Sequence, residues 1–143
     1  MGCLIHKNCG GCVYRNLDLP TYQKQKEASV KTLLEQNLGP LNQIWEKPIF
    51  IADGTRRRAS FAFTKKQKLI FGFNANKSSE IIDITQCDML SPKINAALPS
   101  LRLLLEKLCA LNTANRHKSK QKQQIVGGDL QILEAQNGLD IVL

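Results

Sequence analysis

The sequence predicts an α+β protein built mostly on antiparallel strands, and three observations carry that expectation. Short runs of alternating apolar and polar residues fall in two blocks, at 59–84 and 130–143. Two longer stretches, at 21–38 and from residue 91 onward, repeat their apolar residues at helical spacing instead. Residues 1–16 show neither period, yet they hold three of the five cysteines. The order is therefore an irregular cysteine loop and helix (1–40), then a β-rich unit with one helical segment (41–143).

In the first helix, Val30, Leu33, Leu34 and Leu38 mark an apolar stripe with charged residues on the other faces, and Gly39-Pro40 stops it. Ala59, Phe61 and Phe63 alternate with Ser60, Ala62 and Thr64, so the aromatics share one face of a half-buried strand. After a polar turn at 65–68, Leu69, Phe71 and Phe73 repeat the pattern, and residues 80–84 make a short third strand. Ser91-Pro92 opens the second helix with a capping serine and a first-turn proline. Ile94, Ala97, Leu98, Leu101, Leu105 and Leu108 form its buried stripe, with Cys109 on the same face and Pro99 expected to kink or split it. Residues 112–123 read as a polar, basic, mobile linker. Two final strands meet at Asn137-Gly138, a hairpin signal. The last of them reaches Leu143 in mid-pattern, which suggests a longer protein cut short.

The chain has 143 residues, enough for one domain with a small appendage, and carries a formal net charge of +8. That balance favours an anionic partner such as nucleic acid. No acid lies between Asp53 and Glu80, while Arg56, Arg57, Arg58, Lys65, Lys66, Lys68 and Lys77 do. A second acid-free stretch carries Arg116, Lys118, Lys120 and Lys122. The longest apolar runs, such as Leu103-Leu104-Leu105, are far too short to span a membrane. With no hydrophobic leader after Met1, a cytoplasmic location is expected.

In that reducing compartment, cysteines point to a metal or redox site before disulfides. Cys3, Cys9 and Cys12 form Cys-x5-Cys-Gly-Gly-Cys, and Cys87 follows 75 positions after Cys12. The two glycines let the loop fold tightly. Structural zinc more often uses two close Cys-x2-Cys pairs. Three ligands on one loop and a distant fourth suit a [4Fe–4S] cluster better, one thiolate per iron, although spacing alone leaves zinc open. Ordinary core thiols would not crowd three into an irregular glycine-bearing loop. Cys109, on an apolar helix face, is the core thiol of the five. His6 lies between two ligand candidates, but four cysteines already complete a set.

Arg56-Arg57-Arg58 leads into a strand whose other face is aromatic, which suits phosphate contact. A solvated charged strand edge is the bland alternative. Tyr14, Tyr22 and Trp45 are read as packing residues, and His117 as solvated. Asp53, Asp83 and Asp88 make no carboxylate pair, and no Gly-x-Gly-x-x-Gly loop or P-loop is present. No catalytic set is assigned.

These residues resemble the iron–sulfur-dependent RNA uracil-C5-methyltransferases that act on 23S ribosomal RNA. The matching elements run in order. They are the Cys3–Cys12 motif, Leu17 and Lys26, Arg56-Arg57-Arg58-Ala59, Gly72-Phe73, and Ser79-x-Ile81-Ile82-Asp83-Ile84. Cys87-x-Met89-Leu90-Ser91-Pro92, Leu98-Pro99-x-Leu101-Arg102 and Asn137-Gly138-Leu139 complete them. The resemblance implies a [4Fe–4S] cluster on Cys3, Cys9, Cys12 and Cys87 and RNA contact through the arginines; the sequence does not fix the oligomeric state, and a monomer is expected. The resemblance also implies methyl transfer from S-adenosylmethionine, with nucleophile, base and donor pocket in a Rossmann-like domain that this chain does not match. A free-standing iron–sulfur or zinc RNA-binding module is the alternative.

Overall fold

The computed structural model describes residues 3, 5, 7–12, 14, 16–41, 45–114 and 126–143, with 112–114 by backbone alone. His6, His117, Arg116, Lys118, Lys120 and Lys122 lie outside the described residues.

Helix α1 spans Leu19–Leu38. Asp18 caps it, its carboxylate accepting from the Thr21 amide at 3.0 Å. Hydrogen bonds from the Thr21 backbone and then its side chain hold the Asp18 carboxyl below its ordinary pKa. The capping contribution is therefore present above the usual carboxylate range and lost as pH falls through that lowered value. At the other end Gly39 takes φ 83°, and its amide donates to the Glu35 carbonyl at 3.0 Å.

Five strands form one sheet in the order β3-β2-β1-β4-β5, antiparallel throughout. They are β1 (Arg58–Lys65), β2 (Leu69–Asn74), β3 (Ile81–Asp83), β4 (Gly127–Glu134) and β5 (Leu139–Val142). The first three make a meander. Helix α2 (Pro92–Ala114) then crosses one face and returns the chain to the far side of β1. That crossing decides which face is core. Phe61, Phe63, Phe71, Leu130 and Ile132 are buried on it against Ile94, Leu98, Leu101, Leu105 and Cys109 of the helix. The Phe61 and Phe71 rings lie 5.0 Å apart in a tilted pair.

The α+β architecture thus agrees with the patterning, and four local differences are informative. First, α1 buries none of its residues. Val30, Leu33, Leu34 and Leu38 are 47%, 61%, 36% and 71% exposed. Periodicity marks a stripe able to be buried, not a neighbour to bury it. Second, α2 is continuous through Pro99, which is exposed, so the proline does not split the helix as expected. Third, α2 continues to Ala114, into the stretch expected to be linker. Fourth, the β4–β5 hairpin closes with the Ala135 amide on the Gly138 carbonyl at 3.0 Å. The tight connection is therefore Gln136-Asn137, one residue earlier than the Asn-Gly signal. β5 is an edge strand, and its Ile141 and Val142 stay exposed.

Burial separates two leucine truncations. Leu105→Ala, at a fully buried site, should cost about 2–5 kcal/mol. Leu33→Ala, on the open face of α1, should stay within about 0.5 kcal/mol. Urea unfolding of both variants reads the difference.

Candidate metal centre

The cysteine loop is held to the sheet by its backbone. Asn8 and Cys9 both donate to the Ile5 carbonyl, at 3.1 and 3.0 Å, which turns the chain back on itself. Cys9 then forms an antiparallel bridge to Ala75, beyond the end of β2. The Gly10 amide donates to Asn74 O at 2.9 Å, and the Asn76 amide to Asn8 O at 3.3 Å. The loop therefore sits on the β2–β3 turn like a short extra edge.

This docking explains the glycines, and differently from the sequence expectation. Neither Gly10 nor Gly11 adopts the left-handed backbone; Gly39 and Gly54 are the described glycines that do. Gly10 is needed for close approach, since a Cβ there would lie 2.7 Å from the Asn74 carbonyl oxygen. At Gly11 a Cβ would make only ordinary contacts, 3.5 Å from the Cys9 sulfur and 3.7 Å from the Phe73 ring. The Gly11 amide points at that sulfur, with N···Sγ 3.4 Å.

Cys87 approaches from the opposite direction. After β3, the Ile84 amide donates to Phe71 O at 3.1 Å, and the chain turns so that Leu90 N reaches Cys87 O at 3.1 Å. Arg102 of α2 secures the approach. Its Nη2 donates to Asp83 Oδ1 at 2.8 Å, to Ile84 O at 2.8 Å and to Phe71 O at 3.4 Å. Asn95 secures Cys87 itself: its Oδ1 accepts from the Cys87 amide at 2.9 Å, and its Nδ2 donates to Cys87 O at 2.9 Å and Leu90 O at 3.1 Å. Ser91 caps α2 through the Ile94 amide at 3.3 Å and bonds Glu134 with its hydroxyl.

These two approaches bring Cys3, Cys9, Cys12 and Cys87 to the wall of one cavity, with Arg56 and the Phe73 ring. All four thiols are half-buried, whereas Cys109 is buried in the core, as expected. Among the described residues, no group of three His, Cys, Asp or Glu side chains converges closely enough to hold a single metal ion. What the four cysteines share is the lining of one cavity.

The three arginines do not share one environment. Arg56 is half-buried at the cavity wall, while Arg57 and Arg58 are exposed at the start of β1. The Arg56 backbone is bonded on both sides, its amide to Met89 O at 3.0 Å and its carbonyl to the Ser91 amide at 2.9 Å. That position beside Cys87 is not visible in the arginine run, which reads as one uniform basic patch. Tyr14, Tyr22 and Phe50 form a chain of ring contacts with centroids 6.1 Å apart, and Trp45 Nε1 donates to Glu27 at 3.0 Å. These aromatics serve packing.

Gly10→Ala should strain the loop against the sheet and cost about 1–3 kcal/mol. Gly11→Ala should remain within about 0.5 kcal/mol. Denaturant unfolding of the two single variants checks this contrast.

No protein-family model matches the chain. Curated proteins do. It is 30% identical to the 23S rRNA (uracil(1939)-C(5))-methyltransferase RlmD of Burkholderia thailandensis over 99% of its own length. It is likewise 30% identical over 94% of its length to the protein of that name from Klebsiella pneumoniae. The chain spans only 31% and 27% of the length of those relatives. Over nearly its whole length, then, the chain is a relative of the 23S rRNA uracil-C5-methyltransferases, and it corresponds to under a third of such a protein.

Proposed function

We propose that these 143 residues are part of an S-adenosylmethionine-dependent RNA uracil-C5-methyltransferase, binding a [4Fe–4S] cluster and helping to hold 23S rRNA. The observation that carries this reading is the single cavity walled by Cys3, Cys9, Cys12 and Cys87. One zinc ion would require four sulfurs at about 2.3 Å from one point. A four-iron cluster takes one thiolate per iron, so it accepts thiols spread around a space. The amide on the Cys9 sulfur suits the negative charge of a thiolate. When bound, the cluster would supply iron–thiolate bonds joining the N-terminal loop to the segment after β3.

On this reading, residues 1–40 form a cluster loop and helix, and 41–143 a β-rich RNA-binding part from which Cys87 returns. Thiolate ligands suit a reducing cytoplasm. Arg57 and Arg58, exposed where Arg56 is not, are the arginines left to meet phosphates. Methyl transfer itself belongs to the parts of such a protein that this chain does not match. The 143 residues alone bind and position without methylating.

Anaerobic reconstitution with ferrous iron and sulfide, followed by iron, sulfide and zinc analysis, tests the cluster. Four irons and four sulfides per chain are expected, with Cys87→Ser losing them although it lies far from the loop in sequence. Zinc without sulfide would overturn the cluster in favour of a zinc module. For RNA, removing Arg57 and Arg58 together should weaken binding and lower the salt slope by roughly one per arginine. An unchanged slope would exclude them from phosphate contact.

A further inference from the structure

We infer that Asn95 is a positioning residue for the Cys87 ligand, an inference that rests on the cluster reading above. The geometry is specific. Oδ1 and Nδ2 of Asn95 make three hydrogen bonds at 2.9, 2.9 and 3.1 Å, all to backbone groups of residues 87–90. An amide side chain is suited to this, since it can accept from the Cys87 N–H while donating twice. The peptide groups on both sides of the Cys87 Cα are thereby fixed, and with them the direction of the Cα–Cβ bond that carries the thiol. Asn95 reaches the loop from the first turn of α2, where its own amide donates to Ser91 O at 3.0 Å. The clasp is thus anchored to the helix that packs on the sheet.

The start of α2 does not itself require this side chain. Leu90 and Ile94 are already buried, and the Ser91 cap starts α2 without Asn95. What Asn95 adds is a fixed orientation for one thiol, in the way outer-shell groups orient metal ligands. The nearby Arg102 acts on the chain before Cys87, at Phe71, Asp83 and Ile84, and not on the cysteine.

The test compares the reconstituted full chain with Asn95→Ala, Asn95→Asp and Leu105→Ala. The readouts are iron and sulfide per chain and the rate at which a chelator bleaches the sulfur-to-iron absorption. Asn95→Ala should lose its cluster about tenfold faster or more, the range typical of outer-shell changes. Asn95→Asp keeps the acceptor for Cys87 N–H and loses both donors, so its rate should fall between Asn95→Ala and the unaltered chain. Leu105→Ala, destabilised through the core, should bleach at the unaltered rate while folded. If Asn95→Ala does not fold, faster bleaching of Asn95→Asp supports the role. Bleaching of the folded Asn95 variants at the unaltered rate would overturn it while leaving the cluster intact. An unaltered chain that takes up no iron and sulfide would remove the cluster reading and this inference together.

Discussion

The cavity depends on one constraint: residues 84–91 leave the sheet, yet their peptide groups still need partners. A peptide group withdrawn from both water and a ladder is expensive, so a segment like this keeps its shape only if side chains and neighbouring backbone replace the missing strand. Helix α2 supplies most of the replacements through Asn95 and Arg102, and the start of β1 supplies the rest through the Arg56 backbone. The hydrophobic packing of α2 on Phe61, Phe71 and Leu130 is what brings those polar groups within reach. Core and cavity are therefore joined through one helix, apolar on the side facing the sheet and polar at the turn facing Cys87.

Much of this was legible in the residues. The strands at 58–65, 69–74 and 127–134 follow from period-two alternation, because burial on one face imposes it. The second helix follows from its stripe and from Ser91-Pro92. Cys109 was readable as core because it falls on that stripe. What escaped reading depends on contacts distant in sequence. The exposure of Leu33 and Leu38 depends on what stands opposite α1. The role of Gly10 depends on Asn74, which lies across the fold. Asn95 in isolation looks like any polar helix residue, and only the turn at 87–90 gives its amide a purpose.

The cysteine spacing and the cavity carry different information. Spacing brought the four cysteines forward as a set and left zinc open beside a cluster. The fold contributes the manner of their meeting: three come in on a loop laid along the β2–β3 turn, and one comes in behind β3. It also divides the arginine run, placing Arg56 at the cavity wall and leaving Arg57 and Arg58 to solvent. A basic surface and a thiol-lined cavity thus share the same few residues at the start of β1, which links the two halves of the proposed function physically.

The double tether of Arg56 to the segment 89–91 has a consequence for how this sequence can drift. With Arg56 bonded to Met89 and Ser91, and Asn8, Cys9 and Gly10 bonded to residues 74–76, the spacing from 56 to 91 is locked at both cross-links. A residue gained or lost in β1 or β2 would flip a face of the sheet. One gained in the β2–β3 turn would push against the cysteine loop. The short polar turn at 66–68 touches neither tether, so a residue gained or lost there disturbs neither cross-link.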